Sequence, residues 1–452
     1  MTSAMGLVVG LVALAANQDP GGEVTLLRNV TVLDGTGKAV QQARDVTVQG
    51  DRIVSIKATS ASTPKGAKVV DLSGKTLMPE LINCHGHLGL LKGTTLASSN
   101  YTEENIRAQL LRYETYGVGA VLVLGTDHDE IFALRDQSRK GKLPGAAIYT
   151  AGKGFGVKDA VPPLANGMEQ VHRPLTEAEA KEELKALAAR KPDVIKLWVD
   201  DAFGTVPKMK PEIYTALIRE AHRHGVRVAS HLFYLEDARK LVGVGLDIIA
   251  HSVRDAEIDD ALLAEMKKRK VAYIPTLSLD EFAFAYQDAP GWLSSPFFQA
   301  ALEPGMLQML SSAEYREKVR RNPNTAKEAS ALQVALKNVK KVHDAGILVA
   351  LGTDSGAQPV RIQGFSEHNE LELLVKAGLT PLQAISVGTR NAAMLLKIDH
   401  QVGTLEPGKK ANFIVLEKNP AEDILNTRTI SAVWKNGQKV IDGPPSTLAT
   451  AN

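Results

Sequence analysis

Four histidines at the ends of apolar segments suggest metal chemistry. His85 and His87 stand two residues apart in LINCHGHLG, so on a β-strand their side chains share one face and reach a single ion. Histidines on strands are also common as hydrogen-bonded core residues, and this pair alone is weak evidence. His231 and His251 follow the apolar runs VRVAS and LDIIA, where neutral imidazoles suit zinc or a similar divalent cation. The recurrence of histidine at equivalent strand ends predicts a metal site.

Three further residues are candidates for the same site. Lys196 lies in the apolar segment DVIKLW, where burial of an ammonium is costly unless the lysine is modified or paired with an interior carboxylate. Asp354, in LGTDSG, is a candidate partner for a catalytic hydroxide, or the N-cap of the segment that follows it. Tyr234, shortly after His231, is a candidate donor to a substrate oxyanion, or packs under its loop.

Other residues of metal-binding type are predicted to have structural roles. His222 and His224 end a predicted helix, in AHRHG, where cationic side chains interact favourably with the helix dipole. Cys84 is the only cysteine, so no intramolecular disulfide can form. Its place beside His85 on a strand points its side chain to the opposite face, as a small buried hydrophobe.

Alternating strands and helices are predicted to position these residues. Amphipathic stretches such as PEIYTALIREAHRHG and LEDARKLVGVG end near glycine, as helices do. They separate eight apolar segments: LINCHGHLG, GVGAVLVLG, GAAIYTAG, DVIKLWVDD, VRVASHLF, LDIIAHS, VAYIPTLS and ILVALGTDSG. Such segments indicate a parallel sheet covered on both faces, and eight of them predict an α/β fold, a (β/α)8 TIM barrel with its chemistry at the carboxyl ends of the strands.

Short alternating strands at both ends of the chain predict a second domain. VTLLRNVTVLDG and ARDVTVQGDRIVSIKA lie near the start, and ANFIVLEKN and ISAVWKNGQKVI near the end. They predict one small β-sandwich built from residues 21–78 and 403–445, with the barrel, residues 79–402, inserted between its halves. The connection at 280–327 is long and aromatic. We expect either a lid that gives a substrate an apolar wall or an inserted helical pair packed on the barrel.

Composition and the N-terminal segment limit partners and location. The chain has 53 basic and 51 acidic residues, with no basic run alternating with aromatics, so a nucleic-acid partner is not expected. An apolar run from Met5 to Ala16 is too short to cross a membrane and predicts a signal peptide within residues 1–20, although no Lys or Arg precedes it; a frayed terminus is the alternative. We expect an exported, periplasmic or secreted protein, with a small-molecule substrate, no membrane span in the mature chain and self-association as a homo-oligomer.

These motifs together resemble the amidohydrolase superfamily, in particular its prolidase-like and imidazolonepropionase-like metal-dependent hydrolases. The resemblance covers nearly the whole mature chain. It rests on MPELINCHGH from Met78, VIKLW at Lys196, SHLF at His231, AHS at His251, GTDSG at Asp354, HNELELLVKAGLTPLQAISVGTRNAA from His368 and GTLEPGKKANFIVL from Gly403.

The resemblance implies a site for two divalent metal ions, with Zn²⁺ as the expected metal. The implied ligands are His85, His87, Lys196, His231, His251 and Asp354. The pair of histidines in the first strand would bind the more buried ion and the other pair the second. Lys196, carboxylated by carbon dioxide, would bridge both ions, and Asp354 would contact the first ion and handle the proton. The implied reaction is hydrolysis of a C–N bond in an amide, dipeptide, N-acyl amino acid or carbamate with an apolar or aromatic part.

Two positions depart from the family pattern, and other reactions stay open. The family usually has Gly and Asp where this chain has Glu80 and Asn83, and the missing carboxylate beside the histidine pair predicts weaker metal binding. The same barrel could act on a lactone, an ester or an organophosphate, or as a deaminase. An inactive scaffold is disfavoured because every ligand position is filled, and a glycosidase because no paired carboxylates stand at strand ends.

Overall fold

The computed structural model describes residues 22–165 and 167–445, so the predicted signal segment lies outside the described residues. The strands, β1 to β17 in chain order, are Val24–Val32, Gln41–Gln49, Arg52–Ala58, Lys68–Asp71, Thr76–Pro79, Leu81–Gly86, Leu91–Lys92, Thr95–Leu96, Val118–Val123, Ala147–Thr150, Ile195–Trp198, Val228–His231, Ile248–Ala250, Ala272–Ile274, Phe413–Leu416, Ile430–Lys435 and Gln438–Asp442. The α-helices, α1 to α14, are Glu103–Thr115, Ile131–Arg139, Glu177–Ala189, Pro211–Arg223, Leu235–Val244, Asp260–Arg269, Leu277–Phe282, Pro296–Gln299, Met306–Ser311, Ala313–Arg321, Thr325–Asp344, Phe365–Lys376, Pro381–Ser386 and Ala392–Leu396.

Both ends of the chain contribute to one β unit. Its strands form a single mixed sheet in the order β17-β16-β15-β5-β1-β2-β3, with β4 also paired to β1. The sequence predicted two packed sheets instead. The difference arises at β1, whose first part pairs with β4 and whose last two residues, Thr31 and Val32, pair with β5. Register shifts in its pairing with β2, after Leu27 and Val30, mark an irregularity between these two parts of the strand.

The β unit closes across the inserted middle of the chain. β5 and β15 run antiparallel, with Leu77 opposite Val415. Phe413 stacks on Trp434 at 5.5 Å between ring centroids, and both residues are buried. β5 leads almost directly into β6, so the sheet fixes the position at which the middle of the chain begins.

Parallel strands in the middle of the chain form a TIM-barrel-like α/β arrangement. β6, β9 and β10 make one parallel sheet, and β11 to β14 make another. Seven of the eight predicted strands are therefore confirmed. The eighth segment forms only single bridges, from Val349 to Tyr273 and from Ser355 to Gly86, and the regular ladders do not join into one closed barrel. A positive φ of 57° at Asp354 interrupts regular pairing there.

Helices separate the strands as predicted. α4 ends just before Gly225, and α5 ends at Gly245, which has a left-handed φ of 107°. His222, in the last turn of α4, bonds to Asp247 at 2.8 Å and takes no part in the site described below. Across the described ranges, no helix combines the length and apolarity that crossing a membrane requires.

The aromatic connection packs on the barrel. Helices α7 to α10 occupy it, and Phe282, Phe297 and Phe298 are buried, with ring contacts to Phe365 at 4.8 to 6.5 Å between centroids. None of its aromatic side chains lines the cavity at the candidate site. The packing is what the inserted-helix alternative describes, and a role of this segment as a lid stays a prediction.

Glu80, the first departure from the family pattern, lies between β5 and β6 without backbone strain, since its φ is not positive. Its carboxyl group covers Gly119, which has no side chain to obstruct it, and is 6% exposed. Burial, only partly offset by Lys435, raises the pKa of Glu80 to about 7. The group lines a cavity of about 790 Å³ at the amino ends of the strands, away from the histidines.

We expect Glu80→Gln to change how stability depends on pH. A carboxyl group with a raised pKa binds its proton more tightly in the folded state than in the unfolded state. The free energy of unfolding that this proton contributes is therefore lost as the pH rises towards 7. The variant should match the wild type at about pH 4 and be more stable at about pH 8, by about 3 kcal/mol at most. Thermal unfolding at both pH values tests this, with the exposed Glu182→Gln as control. Equal effects of Glu80→Gln at both pH values would contradict it.

Candidate metal centre

The predicted ligand residues meet at the carboxyl ends of the parallel strands. They lie on β6, β11 and β12 or directly after β6 and β13, and in the eighth segment: His85, His87, Lys196, His231, His251 and Asp354. Five of them are buried, and His231 is partly buried. The structure therefore brings together residues that are far apart in the chain.

His85, His87 and Asp354 form the tightest group, with one potential ligand atom from each within 4.8 Å of the others. Asp354 Oδ1 lies 3.1 Å from His85 Nε2 and 2.8 Å from His87 Nε2. The backbone supports this contact, because the N–H groups of Thr353 and Asp354 both donate to the His85 carbonyl. Two imidazole nitrogens and one carboxylate oxygen facing one point are a donor set that suits a divalent metal.

Lys196 lies beside this group and is fully buried on β11. Its Nζ atom is 3.5 Å from His85 Nε2 and 5.5 Å from the ring centre of Trp198. Among residues 22–165 and 167–445, no carboxylate oxygen lies within 4.0 Å of Nζ. Burial lowers the pKa of Lys196 to about 7. The alternative of a lysine paired with an interior carboxylate is therefore not what the structure shows.

His231 and His251 continue the cluster on the other side. The ring centres of His85 and His251 are 4.5 Å apart, and those of His231 and His251 are 4.3 Å apart. Burial lowers the pKa of all three imidazoles, so these rings are neutral and have lone pairs available for a metal. His85 Nδ1 is buried without a hydrogen-bond partner. The residues present thus fit divalent cations.

Asp354 is held ionised. Burial alone would raise its pKa, but the Arg361 guanidinium, which bonds to Asp354 Oδ2, and His87 hold the pKa well below its ordinary value. Positive φ angles occur at His251 (99°), Thr276 (51°) and Asp354 (57°), which belong to the cluster or contact it, and at Ala202 (48°) and Phe203 (62°) nearby. Such conformations persist where the surrounding structure enforces them, and they cluster at functional sites.

The sequence analysis missed several side chains that orient the cluster. Thr126 and Thr276 each lie 2.7 Å from the Nδ1 atom of one histidine, His87 and His251 respectively. Asp200 bonds to His231 Nε2 at 2.6 Å; burial opposes its ionisation, but the bond to His231 lowers its pKa to about 2. Asp200 directly follows strand residues in WVDD, and its place at a strand end was a signal for it.

Tyr234 lies apart from the cluster. It precedes α5, its hydroxyl donates to Asp201 Oδ1 at 2.8 Å, and its ring is covered by Lys208. It is not among the residues that line the cavity at the metal ligands. A role as oxyanion donor stays a prediction and requires the hydroxyl to leave Asp201.

A cavity of about 270 Å³ opens on the cluster. Three of the ligand residues line it, together with apolar side chains that include Met168, Trp198, Phe203, Phe233 and Leu279, and with the charged side chains Asp200, Arg254, Glu328 and Arg361. A small molecule with an apolar part therefore has a surface to contact beside the candidate metal ligands.

Asn83, the second departure, is fully buried and hydrogen-bonded. Its Oδ1 accepts from the His85 backbone N–H at 2.9 Å, and its Nδ2 donates to Glu367 Oε1 at 2.6 Å. The first contact fixes the backbone of the histidine pair. Asn83, which replaces the usual aspartate, therefore contacts a different carboxylate, that of Glu367.

Comparisons with known proteins find similar sequences and a similar fold. Ochratoxinase from Aspergillus niger is 25% identical over 93% of this chain and 87% of its own length. A 5-methylthioadenosine/S-adenosylhomocysteine deaminase from Bacillus cereus is 25% identical, covering 88% of each chain. The crystal structure of a Xaa-Pro dipeptidase with bound methionine superposes with a TM-score of 0.74 at 23% identity, over 93% of this chain and 100% of the other, and so shows the same fold.

The family model for the amidohydrolase family matches residues 76–440. This range begins in β5 and includes every candidate metal ligand. The chain belongs to the amidohydrolase family, whose members are generally metal-dependent enzymes.

Proposed function

We propose that this protein hydrolyses a C–N bond with two divalent metal ions, of which zinc fits the donor set best, and with Lys196 carboxylated. The observation that carries the proposal is the full burial of Lys196 beside His85, with no carboxylate oxygen of the described residues within 4.0 Å of Nζ. An unmodified ammonium there is desolvated and forms no direct ion pair; the Asp354 carboxylate attracts it only from farther away. A carbamate in its place would be an anionic oxygen ligand among neutral imidazoles.

The chemistry of Lys196 supports carboxylation. Because burial lowers its pKa to about 7, a large fraction of the side chain is the free amine at neutral pH. The free amine attacks carbon dioxide: one N–C bond forms as one C=O π bond breaks, one N–H bond releases its proton to solvent, and the product is a carbamate anion. His85 and His87 would hold one ion with Asp354, His231 and His251 the other.

The protein's own residues would then manage the proton. When bound, the ions lower the pKa of water and polarise a substrate carbonyl. Asp354, held ionised by Arg361 and by the histidines, accepts the proton and returns it to the leaving nitrogen. Thr126 and Thr276 keep two imidazoles in fixed orientations.

The cavity supports a substrate with an apolar or aromatic part, such as an N-acyl amino acid, a dipeptide or an aryl carbamate. Trp198, Phe203 and Phe233 line it close to the ligands. Similarity to an ochratoxinase and to a Xaa-Pro dipeptidase supports this class. Deamination is a second candidate, because a relative of equal identity is a deaminase.

Metal analysis and a substrate screen test the proposal together. The protein is reconstituted with zinc and bicarbonate, and its metal content is measured. The mass of the peptide that contains Lys196 is then measured to detect one added carbon dioxide. N-acyl amino acids, dipeptides and aryl carbamates are then screened, with 5-methylthioadenosine as the deamination substrate and ammonia release as its readout. Fewer than one zinc per chain would exclude the two-metal site. Ammonia release without hydrolysis of the other substrates would favour the deaminase.

A further inference from the structure

A buried polar cluster lies behind the candidate metal ligands. We call it the Glu367 cluster, and it consists of Asn83, Thr353, Ser355 and Glu367, all fully buried. Glu367 Oε1 accepts hydrogen bonds from Asn83 Nδ2 at 2.6 Å, Thr353 Oγ1 at 2.7 Å and Ser355 Oγ at 2.8 Å. Its Oε2 accepts from the Gly364 N–H at 2.7 Å. Neutral donors alone thus satisfy a buried carboxylate.

The cluster connects the two segments that carry the tightest group of ligands. On one side, Asn83 accepts from the backbone N–H of His85 at 2.9 Å. On the other side, Thr353 and Ser355 flank Asp354 in the chain, and the Ser355 N–H donates to Thr353 Oγ1 at 3.2 Å. Glu367 therefore contacts the His85 segment through Asn83 and the Asp354 segment through Thr353 and Ser355.

Without a cation nearby, ionisation of Glu367 is unfavourable, because burial raises the pKa of its carboxyl group. A buried anion loses its hydration, and hydrogen bonds from neutral groups return only part of that free energy. A divalent cation bound by His85, His87 and Asp354 would supply the missing positive charge on the far side of Asn83. The attraction between this cation and the Glu367 carboxylate acts across the buried interior of the protein, where screening is weak.

We propose that Glu367 is a positioning residue of the metal centre, which holds the His85 and Asp354 segments together through Asn83, Thr353 and Ser355 and whose negative charge increases the affinity for a divalent cation. The inference rests on the proposed metal site. It assigns to α12 a carboxylate that compensates for the amide at position 83.

Exchanging the two groups distinguishes charge from packing. Glu367→Gln removes the charge and leaves its amide N–H donors facing either the Gly364 N–H or Asn83 Nδ2, which are both donors. The double variant Asn83→Asp/Glu367→Gln restores one carboxylate on the other side of the same hydrogen bond; the new amide donates to it, and the amide oxygen accepts from the Gly364 N–H. Because this also removes the conflict between donors, metal-free stability reports the repaired hydrogen bonds, and recovery of zinc affinity beyond any recovery of metal-free stability reports the charge.

Zinc affinity, measured by competition with a chromophoric chelator, is the readout, together with thermal unfolding of the metal-free proteins. We expect Glu367→Gln to weaken zinc binding about 10- to 100-fold. The double variant should bind zinc at least about ten-fold more tightly than Glu367→Gln does. Glu370→Gln is the matched control: this buried α12 carboxylate accepts from the Leu277 and Ser278 N–H groups instead, and its variant should bind zinc like the wild type.

Each other result is informative. Wild-type affinity in Glu367→Gln would overturn the inference while leaving the metal site intact. A loss in Glu367→Gln that the double variant does not recover would overturn the role of the charge. If Glu367→Gln does not fold, the folded double variant decides: zinc affinity near that of the wild type supports the inference, and a 10-fold or larger loss opposes it. A wild type that binds no zinc would refute the proposed function itself.

Discussion

Replacing Asp354 by Asn is expected to lower kcat about 10²- to 10⁴-fold, the range for loss of a positioned general acid–base. Asparagine keeps the shape of the side chain but cannot accept and return a proton. Because Asp354 Oδ1 also contacts His85 and His87, some loss of metal affinity should accompany the effect. Steady-state kinetics on the best substrate from the screen, with zinc content measured in parallel, separates the two.

The control for Asp354→Asn is Asp247→Asn. Asp247 also contacts a histidine, His222, at 2.8 Å, but it lies just before β13, at the amino end of that strand. Its variant should retain kcat within a few-fold. If Asp354→Asn retains full zinc content and more than about a tenth of the wild-type kcat, the assignment of the proton shuttle is wrong.

Lys196→Ala is expected to reduce kcat about 10³-fold, or about 4 kcal/mol of transition-state stabilisation. If Lys196 carries the proposed carbamate, its loss should also lower zinc content, because a second ion would keep only His231 and His251 as ligands. The truncated side chain leaves a space in the fully buried position, which a short carboxylic acid such as propionate can enter. We expect propionate to raise the kcat of the variant about ten-fold and to restore part of its zinc content.

Lys337→Ala is the control for this experiment. Lys337 lies exposed on α11, where it pairs with Glu257 at 3.0 Å, and its loss should change neither kcat nor the response to propionate. Full activity and two ions per chain in Lys196→Ala would show that no carbamate bridges the metals.

Residues whose role follows from local pattern could be predicted from the sequence. Strands β6 and β9 to β14 are apolar runs bounded by glycine or polar residues, and strand ends fix where His231 and His251 project. Cys84 is buried with its sulfur towards the Ala392 carbonyl, as its alternation with His85 indicated. Periodicity sufficed for these features.

Features that depend on tertiary contacts escaped prediction. Arg361 reaches Asp354 only because the chain from Gly356 to Arg361 turns back on itself, with the Gly356 N–H donating to the Arg361 carbonyl. Glu367 lies in a helix whose sequence gives no sign that one carboxyl group points towards Asn83. The irregularity of the eighth strand was equally hidden, because it arises where the Thr353 and Asp354 N–H groups both donate to the His85 carbonyl.

The pairing of β5 with β15 affects how the protein is made on the ribosome. β5 is complete early in translation, yet its antiparallel neighbour leaves the exit tunnel only after the whole α/β portion has been synthesised. Until then the nascent chain exposes an apolar strand edge, and such edges pair readily with other chains. We therefore expect chains that terminate before Phe413 to aggregate or be captured by chaperones, even though they contain every candidate metal ligand.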